Sequence, residues 1–352
     1  MEQVYIGEGM LTRICGLFPD LSKNGFFVVS DSRVGSLYAN RLGQFRGEYQ
    51  LPRGEKAKTL EHIKSLYDAF LLAGIDRSSY VIALGGGSIG DTVGFASATW
   101  LRGVPLIQCP TTLLAMVDSS IGGKVGVDLP QGKNLVGAFY TPKAVVMDIS
   151  TLETLSDADF RQGLAEVVKY GVGEDREFLN WIGENIQGIE NRDCGILKRL
   201  VEKSVCIKQG VVAEDWEEKS NVRVRLNLGH TIGHALEGAS DYTFWRHGDA
   251  VAVGLVVALE VSRRKGLCSV QFMEKVLAIL ASLGLPTSSD VPWEQIVPFI
   301  MRDKKFQKDL PRFVFPLENG KALFDGICVE DLRHAYESVQ NNVLSCSGKS
   351  FD

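Results

Sequence analysis

The sequence predicts an α/β fold: an N-terminal, mainly parallel-sheet domain followed by an all-helical C-terminal domain. Three observations carry this reading. Short, continuous apolar runs ending at Gly, Pro or acidic residues fill the first half, a helix-period pattern separates two of them, and from about Asp157 helical segments follow one another. Continuous apolar runs suit strands buried on both faces, and their alternation with helices suits a parallel sheet. At 352 residues the chain exceeds what one core usually serves, so two domains are expected, 1–152 and 153–352.

In order, strands are expected at Gly25–Ser30, Tyr80–Leu84, Val104–Cys109 and Ala144–Asp148. Thr59–Ala73 carries apolar residues at 60, 63, 66, 70 and 71, the stripe of an amphipathic helix. Helices are then expected at Asp157–Lys169, Arg176–Gly188, Cys194–Ala213, Asn227–Gly238, His247–Lys265 and Gln271–Leu283, before a last strand signal at Arg312–Phe315.

Composition excludes several function classes. Apolar residues are 45% and charged residues 23%, an ordinary globular balance. A formal charge of -5 without a basic face argues against nucleic acid as a partner. Seven cysteines without a Cys-x-x-Cys suit free thiols in a reducing cytoplasm. The first residues lack a basic stretch followed by an apolar one, so no signal peptide is expected. The longest apolar run, Ala250–Leu259, is about half of the ~20 residues that span a bilayer, so no membrane partner is expected.

Three clusters carry chemistry. Glycines 85, 87 and 90 follow the Tyr80–Leu84 strand and open a helix, so a phosphate could approach bare backbone at a helix N-terminus; Pro110-Thr111-Thr112 ends the next strand. Three of five histidines, His230, His234 and His247, fall within eighteen residues. His230 and His234 share a helix face, His247 could add a nitrogen, and Glu166 a carboxylate, a set suited to a catalytic zinc site with an open position. Thr231 stands where a metalloprotease motif needs Glu, so hydrolysis by that route is not supported. Lys124 and Lys133 sit in a glycine-rich stretch read as a long loop, and with Arg102, Lys169, Lys208 and Arg223 they suit a substrate carrying phosphate and carboxylate.

These motifs, in order from Gly85–Asp91 to Asp303–Lys305, resemble the sugar-phosphate cyclase family and within it the 3-dehydroquinate synthases. The resemblance covers about Gly7 to Glu330. It implies a carbon–oxygen lyase of the shikimate pathway that uses NAD and one divalent metal, Zn2+ or Co2+. Such an enzyme converts 3-deoxy-arabino-heptulosonate 7-phosphate into 3-dehydroquinate and phosphate by transient oxidation, phosphate elimination, reduction, ring opening and aldol closure. The implied metal ligands are Glu166, His230 and His247. Implied NAD contacts are Asp31, Arg53, Gly54, Glu55, Lys56, Ala57, Lys58, Gly87, Ser88, Ile89, Gly90, Asp91, Thr111, Thr112, Lys124, Lys133, Thr151, Leu152, Glu153 and Thr154. Implied substrate groups are Asp118, Lys124, Asn134, Lys169, Lys208, Arg223, Asn227, His234 and Lys304 or Lys305, with His234 and lysines at the phosphate and Lys208 and Arg223 at the carboxylate. Arg102 matches an arginine that the family reaches across a homodimer interface. Five departures stand out: Asp249 replaces the family's Glu, Ser88 replaces an aliphatic residue, the segment Leu37–Leu51 is shorter than usual, the glycine expected after Asp303–Lys305 is missing, and Arg225 is an extra cation near Arg223.

Overall fold

The computed structural model describes residues 2–216, 218, 220–240, 244–302, 306–307 and 310–346. These form two compact units: Met1–Phe160 with Arg192–Ala213, and Arg161–Asn191 with Glu214–Asp352. The partition does not follow one cut near residue 152, because the helix Cys194–Glu214 belongs for almost all its length to the first unit. Its Lys208 explains part of that placement. This lysine is 6% exposed, and its ammonium donates 2.6 Å bonds to the Asp118 carboxylate and carbonyl of the same unit. A buried cation needs such a partner.

The first unit is built on six strands: β1 (Gln3–Gly7), β2 (Phe26–Asp31), β3 (Gly47–Leu51), β4 (Tyr80–Gly85), β5 (Leu106–Pro110) and β8 (Ala144–Asp148). Their order across the sheet is β1-β8-β5-β4-β2-β3, and every pairing is parallel. β2, β5 and β8 are buried along their whole length, which is why each reads as an unbroken apolar run. β1 and β3 are sheet edges with half-exposed or alternating positions, so they lack that signature. The order reverses between β2 and β4, and the carboxyl ends of strands at such a reversal are where α/β sheets hold ligands. Helices α1 (Leu60–Leu72) and α2 (Gly87–Thr99) follow β3 and β4.

The stretch read as a long loop is instead a hairpin, β6 (Lys124–Leu129) and β7 (Gly132–Phe139). Gly126 lies opposite Gly137, and a Cβ on Gly126 would stand 2.7 Å from the Val136 carbonyl oxygen. The glycines that suggested a loop are there for close cross-strand approach.

The second unit contains α3 (Asp157–Gly173) from residue 161 onward, then α4 (His230–Ala239), α5 (His247–Arg264) and further helices. It is not purely helical: Phe306–Gln307, Leu310–Pro316 and Ala322–Gly326 form a small antiparallel sheet, with Phe313 and Phe315 buried. The strand expected at Arg312–Phe315 is the middle of one of these, Leu310–Pro316.

Backbone-to-backbone packing of α4 on α5 sets this unit. A Cβ at Gly229 would meet Leu255 N and Val251 O at 2.9 Å each, and one at Gly254 would strike the Gly229 carbonyl. Gly254→Ala should therefore lower thermal stability by about 3 kcal/mol through overpacking. Gly210→Ala, where nothing lies within 4 Å of the added carbon, should be neutral or stabilising. Equal melting temperatures for the two variants would contradict this account of the helix contact.

Candidate metal and dinucleotide sites

The metal candidate begins with Glu166, which is 0% exposed near the middle of α3. An ionised carboxylate in that position needs positive partners. Lys169, one turn further on, forms an ion pair with Oε2. On the other side stand two imidazoles, His230 Nε2 at 3.6 Å and His247 Nε2 at 3.4 Å from Oε1. His230 is the first residue of α4 and His247 the first of α5, and the glycine contact between these helices brings their rings to 5.3 Å.

The opposite ring nitrogens decide what the site can do. His230 Nδ1 lies 3.2 Å from Leu228 O, and His247 Nδ1 lies 3.4 Å from Glu237 Oε2. An acceptor at each Nδ1 fixes the tautomer that carries the proton there. Each Nε2 lone pair then faces the Glu166 oxygen. Three lone-pair donors within 4.8 Å of one another repel unless a cation lies among them, so the residues fit a divalent metal. The protonation behaviour differs between the two rings. Burial and Lys169 push His230 well below its usual range. Burial opposes charge on His247 too, but Glu166 and Glu237 outweigh it and raise that group to about 10. The pocket calls for positive charge, and a metal or a proton on His247 can supply it. Burial works against ionised Glu166, yet Lys169 and the two histidines hold it well below the carboxylate range.

Glu237 was not singled out by the sequence, although His230, His234 and Glu237 follow at i, i+4 and i+7 on one face of α4. His234 packs its ring 5.3 Å from His230 and 6.2 Å from His247, and it can join Glu237 and His247 in a second ligand group. Asp249 touches none of these ligands. Its Oδ2 accepts from Gln162 Nε2 at 3.1 Å, while Gln162 Oε1 accepts the Gly248 N–H at 2.6 Å, so the shorter side chain is absorbed by fastening the first turn of α5 to α3.

Arg223 and Asn227 lie in a 3-10 turn, Val222–Asn227. Arg223 is 4% exposed and donates to Trp216 O at 3.0 Å, whereas Arg225 is held by Glu174 and Glu214. Burial pushes Glu174 up to about 7 despite Arg225. Lys304 and Lys305 lie outside the described residues.

In the first unit a cleft of 390 Å³ opens at the carboxyl ends of the strands. Asp31, Arg53, Gly54, Gly87, Ser88, Ile89, Thr111, Thr112, Thr151 and Thr154 line it, together with Arg33 and Tyr38, which the sequence did not flag. Asp31 caps the helix Ser32–Tyr38 by accepting the N–H groups of Arg33 and Val34 at 2.9 and 3.0 Å. The glycine turn is required by packing: a Cβ at Gly87 would approach Ser119 Oγ to 2.7 Å, and one at Gly90 would approach Gln108 Oε1 to 2.8 Å. The bare Gly86–Gly87 backbone then meets the start of α2, where the N–H groups of Ile89 and Gly90 turn to Gly86 O and those of Gly87 and Ser88 do not. Size, position and free N–H groups fit a dinucleotide phosphate.

Other expected contacts are engaged elsewhere. Ser88 Oγ donates to Glu55 Oε1 at 3.0 Å. Lys58, 4% exposed, donates to Asp91 Oδ2 at 2.8 Å and Asn134 Oδ1 at 2.5 Å. Burial lifts Asp91 to about 6 against the pull of Lys58. These three, with Gly90, Ala57 and Leu152, do not line the cleft, and Ala57 and Leu152 are buried. Glu55, Lys56, Lys124, Lys133 and Glu153 are exposed and also lie off its lining. Arg102 stands in a run of left-handed backbone, with φ of 49° at Leu101, 65° at Arg102 and 122° at Gly103.

Comparison with known proteins agrees with this layout. The 3-dehydroquinate synthase N-terminal model matches residues 48–162, and the C-terminal model matches 163–306. The chain is 44% identical over 331 residues to the 3-dehydroquinate synthase of Nitrosospira multiformis, covering 91% of this chain and 89% of that one. It is 42% identical over 334 residues to that of Symbiobacterium thermophilum, covering 91% and 92%. Among solved structures, a 2-deoxy-scyllo-inosose synthase complexed with carbaglucose-6-phosphate, NAD+ and Co2+ superposes with a TM-score of 0.85 at 26% identity, over 95% of this chain and 96% of that one. The 2-epi-5-epi-valiolone synthase of Streptomyces hygroscopicus, with NAD+ and Zn2+ bound, gives a TM-score of 0.86 at 23% identity over 96% of both chains, a likeness of fold. With both halves matched and relatives above 40% identity over nine-tenths of its length, the chain belongs to the 3-dehydroquinate synthase family.

Proposed function

We propose that this chain converts 3-deoxy-arabino-heptulosonate 7-phosphate into 3-dehydroquinate and phosphate. The observation that carries the reading is the convergence of Glu166, His230 and His247 beside the buried Lys169 ammonium, in a member of this family. A polyol dehydrogenase would need a metal and NAD but no provision for a phosphate and a carboxylate.

When bound, NAD would accept and return a hydride at C5, and a divalent ion such as Zn2+ or Co2+ would polarise the C5 oxygen. The chain's own residues do the rest. Glu166, His230 and His247 hold the ion, and Glu237 orients His247 by accepting its Nδ1 proton. Lys169 neutralises the excess negative charge of Glu166, and with His234 it is assigned to the phosphate. Arg223, planar and permanently charged, receives the carboxylate, with Asn227 beside it on the same turn. Lys208 is tied to Asp118, so a substrate anion would compete with that carboxylate for its ammonium. Once C5 is a ketone, the C6 proton is acidic. It passes to an oxygen of the substrate's own phosphate as the C7–O bond breaks, the bonding pair leaves with the phosphate, and His234 donates a hydrogen bond to that leaving group. After the reduction at C5 the ring opens, and aldol closure completes the carbocycle. Asp31, Arg53, Thr111, Thr112, Thr151 and Thr154 in the sheet cleft, with the Gly86–Ile89 turn, hold NAD.

The strained Leu101–Arg102–Gly103 run costs about 1–2 kcal/mol for each non-glycine residue, and it leaves Leu101 42% exposed. We assign this strain to presentation of Arg102 to a second copy of the chain, in a homodimer.

Three outcomes test the reading. Purified protein with catalytic NAD and Co2+ should release phosphate from the heptulosonate phosphate without NADH building up; release from glucose 6-phosphate alone, or stoichiometric NADH, would replace this function with a sister cyclase or a dehydrogenase. His230→Ala should abolish activity and metal retention, and Glu237→Gln should weaken metal affinity about ten-fold; metal content equal to wild type in both would remove the assignment. Arg102→Ala and Glu166→Gln should each be inactive alone but recover partial activity when their dimers are mixed, and no recovery would place Arg102 outside a shared site.

A further inference from the structure

The turn Val222–Asn227 carries two guanidinium groups two residues apart, and they are treated differently. Arg225 Nε lies 3.1 Å from Glu174 Oε1, just beyond the end of α3. Its Nη1 and Nη2 donate to the two oxygens of Glu214 at 3.3 and 3.0 Å, a two-pronged bond to the last residue of the helix Cys194–Glu214. The turn is therefore bolted to two helix ends by one side chain. The start of the segment is tied separately: Asp215 accepts the N–H groups of Ser220 and Val222, each at 3.1 Å. Arg223 is buried and held to Trp216 O, with Glu218 3.4 Å from its Nε.

The charge count explains why the bolt matters. Two guanidiniums on one short turn repel, and the pair Glu174 and Glu214 neutralises Arg225. Arg223, the other guanidinium of the turn, has among the described residues only the half-exposed Glu218 carboxylate beside it, 3.4 Å from its Nε. Bidentate carboxylate bonds also fix a guanidinium plane more tightly than a single contact does.

We propose that Arg225 is a positioning residue: by pinning the turn to Glu174 and Glu214, it sets the placement of Arg223 and Asn227 for the carboxylate end of the substrate. This rests on the assignment of that turn to substrate binding made above. Arg225 touches no substrate itself.

The test compares wild type, Arg225→Leu and Arg225→Lys by steady-state kinetics, metal analysis and amide hydrogen exchange over residues 220–228. For Arg225→Leu, KM for the heptulosonate phosphate should rise about ten-fold while kcat changes by less than about three-fold, because ground-state placement of one anion is lost. Metal content should stay at the wild-type level, exchange over the turn should accelerate, and Arg225→Lys should recover part of the KM. Glu174→Gln should raise KM in the same sense and add little on top of Arg225→Leu. A fall in kcat at unchanged KM, or unaltered exchange over the turn, overturns the proposal. Absence of phosphate release from wild type would instead sink the proposed function, and the exchange comparison would still decide whether Arg225 pins the turn.

Discussion

One fully buried carboxylate, Glu166, organises the second unit. Removing an ionised carboxylate from water costs several kcal/mol even after relaxation, so the surrounding structure must answer its charge. Lys169 does so from the same helix, where an i,i+3 spacing makes the contact automatic. His230 and His247 stand 3.6 and 3.4 Å from Glu166 Oε1 on helices that begin 17 residues apart in sequence, and only glycine at 229 and 254 lets those helices close to backbone contact. Packing and electrostatics are thus one constraint. A bulkier residue at either glycine would separate the imidazoles from the carboxylate they face.

The metal reading follows from the far side of those rings. Leu228 O and Glu237 sit at the Nδ1 positions, so in the neutral rings the Nε2 lone pairs face Glu166. With both rings neutral the three groups form a ligand set; with His247 protonated, its Nε2–H meets the Glu166 carboxylate instead. His234, whose i+4 spacing alone made it an equal candidate, groups with Glu237 and His247. The same logic treats the cations unequally. Lys208 and Arg225 are matched by carboxylates at rest, whereas Arg223 is buried against a backbone carbonyl with an exposed carboxylate alongside.

In the first unit, structural and chemical explanations of the glycine turn coincide. Gly87 and Gly90 are needed because Ser119 and Gln108 crowd them. The same missing side chains leave helix N–H groups accessible to an anion at the sheet reversal. The acidic and basic stretch before α1 is less uniform than its sequence suggests. Arg53 and Gly54 line the cleft, while Lys58 turns inward to hold Asp91 and Asn134.

The buried strands, the amphipathic helices and the ordered motifs were legible because they depend on local periodicity and on residue types at fixed spacing. Glu166, Lys169, His230 and His234 could be placed on helix faces for the same reason, and the family could be recognised from them. What sequence alone misread depended on partners distant along the chain. The hairpin at 124–139 passed for a loop because its glycines serve cross-strand approach, and edge strands β1 and β3 carry no buried run. The helix 194–214 reads as part of the helical half until Lys208 is seen bound to Asp118. Glu237, the Gln162–Asp249 link and the separate fates of Arg223 and Arg225 were likewise decided only in three dimensions. Local spacing determines which side chains share a face, but a charge or lone pair acquires its role from whatever the tertiary fold brings opposite it.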